Sequence, residues 1–211
     1  MRILIVFFLA PLSLLAVSGC ASFNKQKDLK SIESFPVCYS YGCKTIQTVT
    51  LHKEQWLIIE SLFLPTATTP KQERKQISLA IAQMETFIGD ITQTKNDLPG
   101  TFAALFHNLV DQMDCVDEAT NTTVYLKLFR QRGFINFHKE GHRINRGLFF
   151  NGWPHTSAVM TDTQTGAAFA VDSWFHKNGI GPEIIPTKLW YSGWHPAPKG
   201  ADLLPPKESS L

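Results

Sequence analysis

Hydrophobic positions along the chain fall into three textures. Residues 3–17 are an apolar run broken only by Ser13, with Arg2 in front of it. Residues 52–133 repeat apolar side chains at spacings of three and four. From Phe134 onward, short apolar runs alternate with glycines and polar turns. The middle texture predicts helices, because residues three and four apart share a helix face. Trp56, Ile59, Leu62 and Phe63 define one over 52–64, ended by Pro65. Thr69-Pro70 supplies an N-cap and first helical residue for a longer one, running to about Thr92. Its stripe is Ile77, Ala80, Ile81, Met84, Phe87, Ile88 and Ile91. After the Pro99-Gly100 break, residues 102–112 read as a short amphipathic segment. A further helix runs from near Cys115 to Gly133, a glycine cap following Arg130 and Arg132. Residues 45–51, 134–138, 143–150, 155–161 and 166–172 read as strands. Helices followed by antiparallel strands make an α+β layout, with N-terminal helices packed on an antiparallel β-sheet.

The first texture predicts an address rather than a fold. A largely apolar run of fifteen residues is short for a membrane span, which wants about 20. A single positive charge, an apolar stretch and then small residues make a secretory signal. Val17-Ser18-Gly19-Cys20 resembles the bacterial lipobox, in which the cysteine is acylated and becomes the mature N-terminus. That resemblance implies a signal peptide over 1–19, lipidation at Cys20 and anchoring through more than one acyl chain. Ala21 and Ser22 then imply sorting to the outer membrane, facing the periplasm. Residues 20–34 carry three lysines and read as a polar tether, 35–195 as the folded domain and 196–211 as a Pro-rich tail.

Composition narrows the function classes. The 211 residues are 44% hydrophobic and 18% charged, enough apolar surface to exclude disorder. A net charge of +2 without any extended basic cluster argues against a nucleic-acid partner. About 190 residues beyond the signal fit one domain with one sizeable core.

Four cysteines are present: Cys20, Cys38, Cys43 and Cys115. With Cys20 assigned to lipid, an oxidising compartment permits disulfides. Cys38 and Cys43 flank Tyr39-Ser40-Tyr41-Gly42; they either close a hairpin-like loop or stand as two small hydrophobes. If they pair, Cys115 is left over, either buried and inert or reactive.

The surroundings of Cys115 favour reactivity. Asp114 is an N-cap candidate, which places Cys115 at a helix start, where the dipole favours a thiolate. Ala119, Thr122, Leu126 and Phe129 continue its face inward. Against this, Asp114, Asp117 and Glu118 raise a nearby thiol's pKa, so a cationic partner is needed. His155 opens a predicted strand, and Asp162-Thr163-Gln164-Thr165 reads as a four-residue turn. Pairing Thr161 with Gly166 sets His155 directly opposite Asp172, with Cβ atoms about 4.5–5.5 Å apart. A carboxylate there holds one imidazole nitrogen and leaves the other for the thiol. A one-residue slip would put Asp172 on the other face.

Cysteine at a helix start, histidine opening a strand and aspartate on the next strand together resemble the transglutaminase-like branch of the papain-like fold. Met113-Asp114-Cys115-Val116-Asp117 is similar to the Gly-Asp-Cys-Glu-Asp motif of its bacterial cysteine-proteinase members. Asp114, Cys115 and Asp117 match, while Met113 and Val116 replace the glycine and glutamate. Val171-Asp172 resembles the strand-borne aspartate, and the likeness covers residues 104–174. It implies a papain-like core, nucleophile Cys115, general base and acid His155 and orienting Asp172, with no cofactor. Backbone N–H groups at the helix start, with Gln112, are the expected oxyanion donors. The expected substrate is a peptide or cell-wall amide, hydrolysed or transamidated.

Competing readings of the same residues are a non-catalytic binding or assembly module and a metal-dependent hydrolase. For metal, Cys, His and Asp are all ligands, but His138 and His142 straddle Gly141 and no Cys-x-x-Cys or His-Glu-x-x-His pair occurs. Trp153, Trp174, Trp190 and Trp194 either line a groove or pack a small sheet's core.

Overall fold

A computed structural model describes residues 34–102, 111–147 and 154–197. Two strands come first, β1 (Ser34–Tyr39) and β2 (Thr45–Thr50), paired antiparallel from Ser34↔Thr50 to Tyr39↔Thr45. Helices α1 (Lys53–Ser61), α2 (Pro70–Thr92) and α3 (Cys115–Gln131) follow. The C-terminal part holds β3 (His138–Glu140), β4 (Ile144–Arg146), β5 (His155–Asp162), β6 (Ala168–Asp172), β7 (Glu183–Pro186) and a short helix, α4 (Thr187–Tyr191). The architecture is mixed α and β with antiparallel sheets.

The helix signals translate into local contacts. Thr69 Oγ1 accepts the Gln72 N–H, and Pro70 fills the first helical position, whose missing N–H costs nothing there. Gly133 at φ 72° takes the left-handed residue just beyond the α3 C-cap, Arg132. Along α2, Ile77, Ala80, Ile81, Met84 and Ile88 are buried, with Phe87 and Ile91 packed at the margin.

α3 departs from the single inward stripe. Besides Ala119, Thr122, Leu126 and Phe129, it buries Thr120, Asn121, Val124, Tyr125 and Leu128. The reason is that it has neighbours on several sides: β1, α2, and strands β3, β5 and β6. A helix enclosed in this way becomes the axis of the core. Among its buried polar side chains, Asn121 is held by both the N–H and the carbonyl of Cys38, while the Thr120 hydroxyl has no partner among the described residues.

The sheet runs β3-β5-β6-β7, with β4 also on β5. β3 and β4 follow one another along β5, pairing with its two ends. Residues 141–143 face just Ala158 and Val159 between the Glu140↔Met160 and Ile144↔Ser157 pairs, which makes a β-bulge. The expected strand over 134–138 is displaced, because the N–H groups of Asn136, Phe137 and His138 are taken by the Glu73 carboxylate instead of a ladder. The strand expected over 143–150 is confined to β4 among the described residues. The segment expected over 102–112 lies mostly outside them.

The β5–β6 register also differs from expectation. Thr161 pairs with Ala168, not Gly166, and Ala158 pairs with Val171. Asp162 is the cause: its Oδ1 accepts the N–H groups of Gln164 and Thr165, and its carbonyl accepts that of Gly166. That self-made Asx turn lengthens the loop by two residues. A two-residue shift keeps side-chain parity, so Asp172 stays on the face of His155, now as its diagonal neighbour.

Candidate active site

α3 positions the sulfur. Asp114 Oδ1 accepts the N–H groups of Val116 and Asp117 at 3.0 and 3.1 Å, while Asp117 Oδ2 accepts the Asp114 N–H at 3.2 Å. This reciprocal capping box fixes the first turn, with Cys115 at its first helical position. Cys115 is the free cysteine among the described residues and is partly exposed. Its sulfur lies against Thr156, whose backbone N–H donates to it, and Thr156 is the residue after His155.

The strands position His155 and Asp172. His155, 4% exposed, opens β5, and Asp172, 2% exposed, closes β6. His155 Nε2 lies 2.7 Å from Asp172 Oδ2. A neutral ring that donates from Nε2 to the carboxylate keeps a lone pair on Nδ1. Nδ1 is buried and has no hydrogen-bond partner among the described residues. Trp190 Nε1 donates to the same Asp172 oxygen at 2.7 Å. The His155 ring is packed among Trp174, Phe175 and Trp190, with centroids at 4.6, 5.3 and 5.5 Å.

Electrostatics set the resting state. Burial pushes the Cys115 thiol up to about 12; the Thr156 N–H works against this, and the Asp114 and Asp172 charges add to it. Glu118, on the same helix as Cys115, belongs to a buried acidic cluster. Burial raises Glu85 to about 8 and Asp97 to about 7. Glu118, on α3, is held well above its ordinary range by burial and by Glu85, Asp97, Asp117 and Asp172. The resting sulfur is therefore a thiol.

Other sequence-derived candidates are placed as follows. Gln112 is 3% exposed; its Oε1 accepts the Leu98 N–H at 2.9 Å and its Nε2 donates to the Asn96 carbonyl at 3.1 Å. Its amide thus stitches the loop after α2, and an oxyanion role is not carried forward. The Val116 and Asp117 N–H groups, also offered to an oxyanion, are held by Asp114. Cys38 and Cys43 are bonded to each other. His138 is fully engaged, with Nδ1 on Glu73 and Nε2 facing Arg74. Cys38, Cys43 and Asp117 bring ligand-type atoms within 4.8 Å, but both sulfurs are spent in the disulfide. Trp190 is fully buried and lines no groove, Trp174 and Trp194 are half-buried, and Trp153 lies outside the described residues. Cys20 also lies outside them.

Sequence reasoning missed the particular roles of Trp190, Arg146 and Thr156. Arg146 donates to the carbonyls of Trp190 and Trp194 and lies 4.4 Å over the Trp190 ring. Local spacing carries no signal for contacts 18 or 44 residues apart.

Comparison with protein-family models, curated proteins and solved structures finds no match. No helix among the described residues is long and apolar enough to cross a membrane.

Proposed function

We propose that the protein is a cysteine-dependent hydrolase or acyltransferase with a papain-like, transglutaminase-like core. It is held in the bacterial envelope by lipid on Cys20, probing peptide or cell-wall amides from the outer membrane. The observation that carries the catalytic reading is the spare His155 Nδ1: a buried imidazole, oriented by Asp172, with one nitrogen unassigned, one residue from the contact of the Cys115 sulfur.

With the thiol near 12, about one sulfur in 10⁵ is ionised at neutral pH without help. Proton transfer therefore accompanies attack. Cys115 Sγ bonds to the amide carbon as its proton passes to His155 Nδ1. His155 returns that proton to the leaving nitrogen as the C–N bond breaks, giving a thioester. Water, deprotonated by His155, then attacks the thioester carbon, and the sulfur leaves and regains its proton. An amine in place of water gives transamidation. Asp172 keeps the imidazolium oriented, and Trp190 keeps Asp172 in place.

A second reading, a catalytically silent binding module, draws on the elevated thiol. Alkylation of Cys115 by iodoacetamide, followed peptide by peptide in the full chain near neutral pH, separates the two. The enzyme reading expects labelling that falls about 100-fold in His155→Ala, the scale of a lost general base. Equal rates in both proteins favour the module. Incorporation of a palmitate analogue, abolished by Cys20→Ala, checks the anchor.

A further inference from the structure

Residues 40–43 join β1 to β2 through four consecutive left-handed residues: Ser40 at φ 68°, Tyr41 at 65°, Gly42 at 64° and Cys43 at 57°. Glycine adopts that conformation freely, but the other three set Cβ against the backbone. Such a run persists where its surroundings enforce it. The Cys38–Cys43 disulfide closes the loop covalently. Asp117, fully buried, receives it from below: Oδ2 accepts the Tyr41 N–H at 2.8 Å and Oδ1 the Cys43 N–H at 2.5 Å.

Asp117 is also the third residue of α3 and half of the capping box that sets Cys115. One carboxylate thus serves the loop and the nucleophile's turn together. The loop grips that region twice more. The Ser40 N–H donates to the Gln112 carbonyl at 3.0 Å. Asn121 bonds both the N–H and the carbonyl of Cys38 at 2.8 Å. Residues 112, 117 and 121 bracket Cys115 in the chain.

We infer that Asp117 is a positioning residue through which the Cys38–Cys43 disulfide holds Cys115 in its reactive place, so that reducing the disulfide silences the thiol. The inference rests on the Cys115–His155 reading above. In the reduction, a dithiol gives up two electrons and two protons and becomes a disulfide, while Cys38 and Cys43 become thiols. Residues 40–43 then relax toward right-handed φ and withdraw the Tyr41 and Cys43 N–H groups. A buried carboxylate that loses two donors turns away or takes a proton. Either change opens the capping box and frays the turn that bears Cys115. The chemistry would stay off in a reducing compartment and turn on in an oxidising one.

The test compares iodoacetamide labelling of Cys115, peptide by peptide, in the full oxidised chain and after dithiothreitol treatment and anaerobic desalting. Reduction slows Cys115 by about tenfold or more, a displacement-sized effect, and reoxidation restores the rate. Cys38→Ala/Cys43→Ala lowers the rate to the reduced level. Asp117→Asn lowers the oxidised rate, and reduction then adds little. Labelling of the reduced chain at the oxidised rate, or faster, overturns the inference. So does an Asp117→Asn protein that still responds fully to reduction. If the double alanine variant fails to fold, reduction and reoxidation of the unmutated chain decide. Insensitivity to His155→Ala defeats the dyad reading itself; sensitivity to His155→Ala but not to reduction defeats the coupling alone.

Discussion

The molecule contains two buried carboxylate–imidazole pairs, and they differ in one atom's surroundings. At His155–Asp172 the contact is 2.7 Å, and at His138–Glu73 it is 2.8 Å. Both rings are buried, but the first pair joins the consecutive strands β5 and β6 and the second joins β3 to the distant α2. In the second pair every position is used. Glu73 accepts the N–H groups of Asn136, Phe137 and His138 as well as His138 Nδ1, and His138 Nε2 faces Arg74 Nη1 at 3.3 Å. Arg74 in turn lies 4.3 Å over the Phe169 ring. In the first pair, His155 Nδ1 is without a partner among the described residues, and the residue after His155 touches a sulfur. A histidine–carboxylate contact is therefore not by itself a catalytic signal. What distinguishes the His155 pair is a ring nitrogen without a partner among the described residues, one residue along the chain from the contact with Cys115.

The two pairs should respond oppositely to loss of the carboxylate. Asp172→Asn should slow Cys115 alkylation about 100-fold while leaving a folded protein, because the imidazole loses its imposed tautomer. Glu73→Gln should leave alkylation close to wild type and lower stability by about 3 kcal/mol, since the buried N–H groups and His138 lose their charged partner. Denaturant melts and labelling of both variants check this. Alkylation lost in Glu73→Gln would break the distinction.

Trp190→Phe sharpens it. The ring remains against His155, but the N–H on Asp172 is gone. Alkylation should fall about tenfold, consistent with the loss of one charge-assisted hydrogen bond. Arg74→Met frees His138 Nε2 in the other pair and should confer no reactivity, since that ring faces no thiol among the described residues.

A smaller effect is expected in pH dependence. Burial raises the folded-state pKa of Glu85 to about 8 and those of Asp97 and Asp117 to about 7. Between the ordinary carboxyl value and those values, the native state holds protons that the unfolded chain has released, so stability falls as pH rises. Glu73 runs the other way. Burial would raise it, but hydrogen bonds from His138, Asn136 and Phe137 outweigh that and hold it low. Its contribution is present above the unfolded value and is lost as pH falls through the folded one. Thermal melts should therefore peak near pH 5 and decline by about 5 °C toward pH 8, equivalent to about 2 kcal/mol. Glu85→Gln should flatten the decline, and a melting temperature that rises from pH 5 to 8 would contradict this reading.

What was legible in the sequence was local or depended on parity. The Asp114 cap, the placement of Cys115 at the first helical position, the α2 stripe and Gly133 all follow from spacing within one helix. The His155–Asp172 contact survived an error in register because two residues is one full strand period. The turn is longer than its composition indicates because Asp162 bonds its own loop, a choice that composition does not determine. The partners of Gln112, Asn96 and Leu98, come from a loop brought in by the fold, which local spacing does not show. Strand β1 and the Glu73–His138 latch depend on contacts some 60 to 80 residues away, beyond any periodicity argument.

Nitrogen-15 NMR of the histidine side chains, recorded before and after alkylation of Cys115, tests the central claim most directly. The account predicts that His155 carries its proton on Nε2, that its Nδ1 is unprotonated, and that the Nδ1 signal shifts on alkylation while His138 stays still. A proton on His155 Nδ1 at rest, or a His155 signal indifferent to modification of the sulfur, would contradict it.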